Sequence, residues 1–215
     1  MPKKIKENIP LVRPLLFFLL TVIFLVFFLH ITDEVIREKE YVFDLNIIKW
    51  INGIRFPWLT TVMNTITFLG SFYFLLPGYL IIAVLLYRSD SKATALFFAA
   101  ISIIGALMIL AAKYLFHRTR PDMPFLHAET GFSFPSGHAT SSVIFFGWLV
   151  YLLFMHFVFT KPVKWLICLL AILVCAAIGF SRVYLEVHYA TDVLAGYCLG
   201  TLYFLVTVFF REKFF

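Results

Sequence analysis

From Pro14 to Ile31 the chain runs almost without a polar side chain, and runs of this kind return five more times before its end. A bilayer core needs about 20 apolar residues per helical crossing. The later runs, Trp58 to Tyr87, Ala93 to Phe116, His138 to Thr160, Trp165 to Phe180 and Tyr189 to Phe210, are close to or above that length. With 62% of its 215 residues hydrophobic and 14% charged, a water-soluble fold would have no polar exterior to present. The expected fold is therefore all-α and polytopic, with six transmembrane helices. Gly70-Ser71 and Pro77-Gly78 are candidate kinks or breaks in the long second run.

The N-terminal run follows Lys3, Lys4, Lys6 and Arg13, as a signal peptide would. It is too long for a signal h-region, and Thr32-Asp33-Glu34 follows in place of a small-residue cleavage site. It reads as an uncleaved first membrane helix. Between the first two runs, Phe43, Ile47, Trp50, Ile51 and Ile54 recur at helical spacing, with Asp44, Asn46, Lys49 and Asn52 between them. Phe43 to Arg55 is therefore expected as an extracytoplasmic amphipathic helix lying in the membrane interface. No repeat or linker interrupts the chain, so residues 1–215 read as a single domain.

An even number of spans puts both termini on one side. That side carries Arg88, Lys92, Lys161, Lys164, Arg211 and Lys213 besides the N-terminal cluster, and the positive-inside rule makes it cytoplasmic in a plasma membrane. The net charge of +6 sits at the ends of apolar runs. No basic cluster is interleaved with aromatics in a polar segment, which argues against a nucleic-acid partner. Cys168, Cys175 and Cys198 all lie inside apolar runs, where cysteine acts as a small hydrophobe.

On this topology three polar segments meet the same outer boundary: 113–121, 135–138 and 181–192. Lys113, Arg120 and Arg182 supply cationic donors that could surround a phosphate, the arginines as planar forks and the lysine as a point charge. Ser136 and Gly137 add a hydroxyl and backbone N–H groups at a helix N-terminus. His188 and Asp192, four apart, share a helical face. A carboxylate on one ring nitrogen leaves the other free to attack, and His138 can then protonate a leaving alcohol. Singly, each feature has a plainer reading. Lys113 would snorkel, Pro135-Ser136-Gly137 would be a capped turn, and His188 with Asp192 a surface hydrogen bond. His30, His127 and His156 read as single polar residues near span ends. Metal binding by His117, His138 and His188 lacks any short ligand spacing. It is the joint placement on one face that points to phosphoryl transfer.

The segments Lys113-x6-Arg120-Pro121, Pro135-Ser136-Gly137-His138 and Ser181-Arg182-x5-His188-x3-Asp192 resemble, without departure, the tripartite signature of the type 2 phosphatidic acid phosphatase superfamily. The resemblance implies His188 as nucleophile, Asp192 as its orienter and His138 as general acid. It also implies Lys113, Arg120, Ser136, Gly137 and Arg182 as phosphate ligands, with no metal or other cofactor. The expected substrate is a membrane lipid phosphate. Phosphatidylglycerol phosphate is the first choice and undecaprenyl pyrophosphate the alternative, as in the bacterial branches with a short six-span layout. His117, Arg118 and Glu186 lie beside motif positions and are expected only as headgroup contacts. A non-catalytic lipid-phosphate binder or transporter would be expected to lose a motif position, and none is lost. The vanadate-dependent haloperoxidases of the same superfamily are soluble, unlike this chain.

Overall fold

The computed structural model of the protein describes residues 12–37, 42–89, 92–121 and 129–214. Lys3, Lys4, Lys6 and His127, used above, lie outside the described residues. Those described form eight helices: α1 (Val12–Arg37), α2 (Val42–Gly53), α3 (Pro57–Phe68), α4 (Phe72–Ser89), α5 (Lys92–Phe116), α6 (Gly137–His156), α7 (Lys161–Tyr184) and α8 (Ala190–Phe214). Six stretches among them are long and apolar enough to cross a membrane, with α3 and α4 together making the second. The protein is a multi-pass, all-helical membrane protein, as the apolar runs predict. Side chains such as Leu15, Phe18, Leu107 and Leu166 stand more than half exposed around the bundle. That is stable only where hydrocarbon is the solvent.

The long second run breaks at Leu69 to Ser71, one of its two candidate positions, whereas α4 continues through Pro77. A β-carbon at Gly70 would lie 2.6 Å from Ile178 Cγ2 and 3.1 Å from His138 Cδ2. The break therefore lets the backbone come up against the start of α6.

Three buried clusters fix the bundle. At the end where α6 and α8 begin, Ile51 of α2 and Met63 of α3 pack with Ala139, Tyr184, Leu185, Val187 and Val193. At the opposite end, Phe98, Ile101, Ile144, Trp148 and Val208 join α5, α6 and α8, with Trp148 Nε1 donating to Thr207 Oγ1 at 3.1 Å. α1 lies along α8 through Ile31, Phe134, Ala195 and Cys198.

α6 and α8 approach most closely where α8 carries Gly196 and Gly200, the small-x3-small spacing that lets membrane helices touch backbone to backbone. A β-carbon at Gly196 would fall 2.8 Å from the Ser136 carbonyl oxygen, and one at Gly200 2.7 Å from that of Thr140. The expectation for α2 needs one correction. Its apolar face buries Ile48 and Ile51, but Asp44, counted above among the polar residues of an interfacial helix, is 0% exposed. Asp44 falls on the same face as Ile47, Ile48 and Ile51 and points into the protein.

Gly196→Ala is expected to lower stability by about 1–3 kcal/mol, because backbone blocks the added carbon and cannot swing aside. Gly53→Ala, where nothing lies within 4 Å, is expected to stay within about 0.5 kcal/mol. Thermal unfolding in detergent compares the two, and equal responses would contradict the close α6–α8 contact.

Candidate active site

The three polar segments meet at one end of the bundle because α5 and α7 end there and α6 and α8 begin there. Each chain reversal has a local cause. α7 closes in a Schellman motif. Val187 N–H bonds the Arg182 carbonyl at 3.2 Å and Glu186 N–H that of Val183 at 3.0 Å, with Glu186 at φ 57°. Glu186 is not a headgroup contact: its side chain is fully buried and its carboxylate lies 2.7 Å from Arg55 Nη2. α5 ends similarly, with His117 at φ 50° and its N–H on the Lys113 carbonyl.

The reversal after α7 delivers His188, 2% exposed, to the entrance of α8. Its Nδ1 lies 3.4 Å from Asp192 Oδ2 and 3.3 Å from Ser133 Oγ. Its Nε2 faces Arg120 Nη1 at 3.4 Å. Asp192 is itself held from several sides. The Tyr189 N–H donates to Oδ2 at 2.9 Å, the reach-back half of a capping box, and Ser133 Oγ donates to the same oxygen. Ser136 N–H donates to the Asp192 carbonyl at 3.0 Å, joining the second motif to the third.

His188 opens onto a cavity of about 360 Å³ lined by Lys113, Arg120, Glu129, Gly137, His138 and the apolar Leu110, Tyr114 and Phe132, among others. Five of the eight expected site residues thus line one space. Asp192 stands behind His188, while Ser136 and Arg182 are fully buried beside them. Lys113 Nζ donates to the Phe132 carbonyl at 2.5 Å. Arg120 donates to the carbonyls of Val187, Gly131 and Thr130. Arg182 binds Thr67 Oγ1 at 2.6 Å and Glu129. Ser136 Oγ and Arg182 Nε, both buried, find no hydrogen-bond partner among the described residues. Two desolvated donors without acceptors are costly in a protein alone and suited to an anion. No group of three His, Cys, Asp or Glu side chains among the described residues could hold a metal ion.

Sequence reasoning missed four contributors. Ser133 and Thr67 are ordinary hydroxyls until the fold brings them to Asp192 and Arg182. Glu129 sits between Arg182 and Arg120; burial opposes its charge, but the two guanidiniums hold its carboxyl below the usual range. Asp44 carried a signal, since it shares a helical face with Ile47, Ile48 and Ile51. Arg118, expected as a headgroup contact, instead turns inward. Nη1 donates to Asp192 Oδ1 at 2.6 Å and Thr191 Oγ1 at 2.8 Å, and Nη2 to Asp44 Oδ2 at 2.9 Å.

Burial lowers the His188 pKa from 6.5 to about 4, against the pull of Asp192; Arg182 and Lys113 also disfavour the proton. The charged groups facing the ring are Asp192 from α8, Lys113 from α5, Arg182 from α7, and Arg120 and Glu129 from the flanking loops. His188 is therefore neutral, with a free lone pair, at neutral pH. The unfolded chain takes up this proton first, so His188 contributes to a loss of stability as pH falls from 6.5 toward 4. Imidazole resonances of His188 in labelled protein should titrate near 4. A midpoint near 6.5 would mean that the ring is solvated.

Comparison with known proteins agrees with this geometry. A family model described as the PAP2 superfamily matches residues 92–215. Phosphatidylglycerophosphatase B of Bacillus subtilis is 37% identical over 160 residues, covering 74% of this chain and 79% of that protein. The crystal structure of a transmembrane PAP2-type phosphatidylglycerolphosphate phosphatase from Bacillus subtilis superposes with a TM-score of 0.84 at 34% identity. The match covers 91% of this chain and 97% of that one. An undecaprenyl-diphosphatase of Sulfolobus acidocaldarius is 26% identical over 196 residues, 88% of each chain.

Proposed function

This chain belongs to the PAP2 superfamily, and from that premise we propose that it is a lipid phosphatase that hydrolyses the terminal phosphate of phosphatidylglycerol phosphate through a phosphohistidine. The observation that carries the mechanism is the orientation of His188. Nδ1 is backed by Asp192 while Nε2 faces the cationic cavity. The Nε2 lone pair attacks phosphorus, and Asp192 stabilises the charge that develops on the ring. The bond from phosphorus to the lipid oxygen breaks, and His138, on the same cavity, gives that oxygen a proton. Water then attacks the phosphohistidine with His138 as base, releasing phosphate.

Lys113, Arg120 and Arg182 offset the charge on the transferring phosphoryl group, and Ser136 Oγ, Arg182 Nε and the backbone at Gly137 complete its ligands. The phosphate replaces Glu129 as the partner of Arg182. Leu110, Tyr114 and Phe132 give the cavity an apolar side for the start of the lipid chains. The site faces outward, with both termini cytoplasmic, because Arg88, Lys92, Lys161, Lys164, Arg211 and Lys213 gather at the opposite end.

Undecaprenyl pyrophosphate presents the same terminal phosphate on a lipid, and the undecaprenyl-diphosphatase resembles this chain over most of its length. With the two lipids measured side by side in detergent with EDTA present, faster phosphate release is expected from phosphatidylglycerol phosphate; faster release from undecaprenyl pyrophosphate would favour the alternative. His188→Ala should abolish release while the protein stays folded. Wild-type turnover in that variant, or no release from either lipid by the folded wild type, would overturn the proposal.

A further inference from the structure

Asp44 is an acid fully buried at the start of α2, a helix whose Phe43, Leu45 and Trp50 stand more than half exposed on its other side. Among the described residues its side-chain bonds run to Thr191 and Arg118, beside Asp192. Oδ1 accepts the Thr191 N–H at 2.9 Å; Oδ2 accepts Thr191 Oγ1 at 2.6 Å and Arg118 Nη2 at 2.9 Å. The other fork of Arg118 grips Asp192 Oδ1 at 2.6 Å, on the carboxylate whose second oxygen faces His188. The guanidinium also stacks on the Tyr189 ring, its Cζ 4.1 Å from the centroid. Just beyond the end of α2, Arg55 pairs with the buried Glu186. The segment is thus tied at its start to the first turn of α8 and at its end to the connector that carries His188.

An aspartate that only capped α8 would need the Thr191 N–H and nothing more. Burying two carboxylates around one guanidinium leaves one negative charge over, which is costly unless other donors share it. Here Asp44 and Asp192 share the two edges of the fork, Thr191 also donates to Asp44, and Ser133 and the Tyr189 N–H donate to Asp192. Asp44 sets where Arg118 lies and how much of its charge is left for Asp192. Asp192 in turn sets the ring plane and tautomer of His188.

We infer that Asp44 and Arg118 are positioning residues for the hydrolysis, acting on His188 through Asp192, an inference that rests on the phosphohistidine reading. Neither residue lines the cavity, so neither should alter lipid binding. A displacement of about 1 Å at a reacting group costs on the order of a hundredfold in rate.

The test is a double-mutant cycle on the full-length protein in detergent, with radiolabelled phosphatidylglycerol phosphate to read low turnover. Asp44→Asn keeps the size of the side chain and an oxygen for Thr191. It is expected to lower kcat by about tenfold to a hundredfold with KM within about twofold. In the Asp192→Asn background the same change should cost no more than about twofold, because the group it acts through is gone. A merely structural role would give the same loss in both backgrounds, and a lipid-binding role would move KM; either result overturns the inference. If Asp44→Asn fails to fold, Arg118→Lys carries the same test, since one ammonium cannot bridge both carboxylates, and full additivity with Asp192→Asn would again overturn it. Turnover by His188→Ala would instead sink the phosphohistidine reading. A dead His188→Ala beside an unimpaired Asp44→Asn sinks only the positioning role.

Discussion

The hydrogen bond from Ser136 N–H to the Asp192 carbonyl is the contact on which the site depends. It joins the first residue before α6 to the first turn of α8, and so brings the segment carrying Gly137 and His138 beside His188. It forms because α8 presents Gly196 to the Ser136 carbonyl and Gly200 to that of Thr140, with no room for a β-carbon at either. Close helix packing in a membrane rests on van der Waals contact and small residues, since lipid tails are as apolar as the helices themselves. The same contact that stabilises the bundle therefore sets the distance between the backbones of His138 and His188.

Electrostatics explains the rest of the arrangement. Lys113 and Arg120 line the cavity at the end of the membrane spans, with Arg182 buried beside it, where charge is expensive. Oxygen acceptors of the protein meet these charges: backbone carbonyls for Lys113 and Arg120, and Thr67 and Glu129 for Arg182. A phosphate can take the place of Glu129, and Ser136 Oγ and Arg182 Nε are buried donors suited to it. The His188 ring is kept neutral by burial, which is the state a nucleophile requires. One ring nitrogen faces Asp192 and Ser133 and the other faces Arg120, so the proposed supporting and attacking roles fall on different nitrogens.

Much of this was legible in the sequence, for physical reasons that differ by feature. The spans could be read because hydrophobic length is a local property. The motif residues could be grouped because the alternation of spans puts three polar segments at one boundary. The interruption near Gly70 was visible as a pair of helix-weak residues, though Pro77 looked equally able to break the run and did not. Arg118 was misjudged because its partners, Asp44 and Asp192, lie 74 residues away on either side. Pairing at such separation leaves no trace in spacing. Asp44 was counted as a solvated charge because acids usually are, although its position on the face of Ile47, Ile48 and Ile51 marked it for burial. Ser133 and Thr67 carry no signal of their own; only the fold gives them a charged neighbour.

The central claim is that phosphate passes through His188. Rapid quenching of the enzyme during turnover of radiolabelled phosphatidylglycerol phosphate, followed by peptide mapping, tests it most directly. The account predicts label on the peptide that contains His188, stable in base and released by acid, as a phosphorus–nitrogen bond requires. Label elsewhere, or a bond that survives acid, would contradict it.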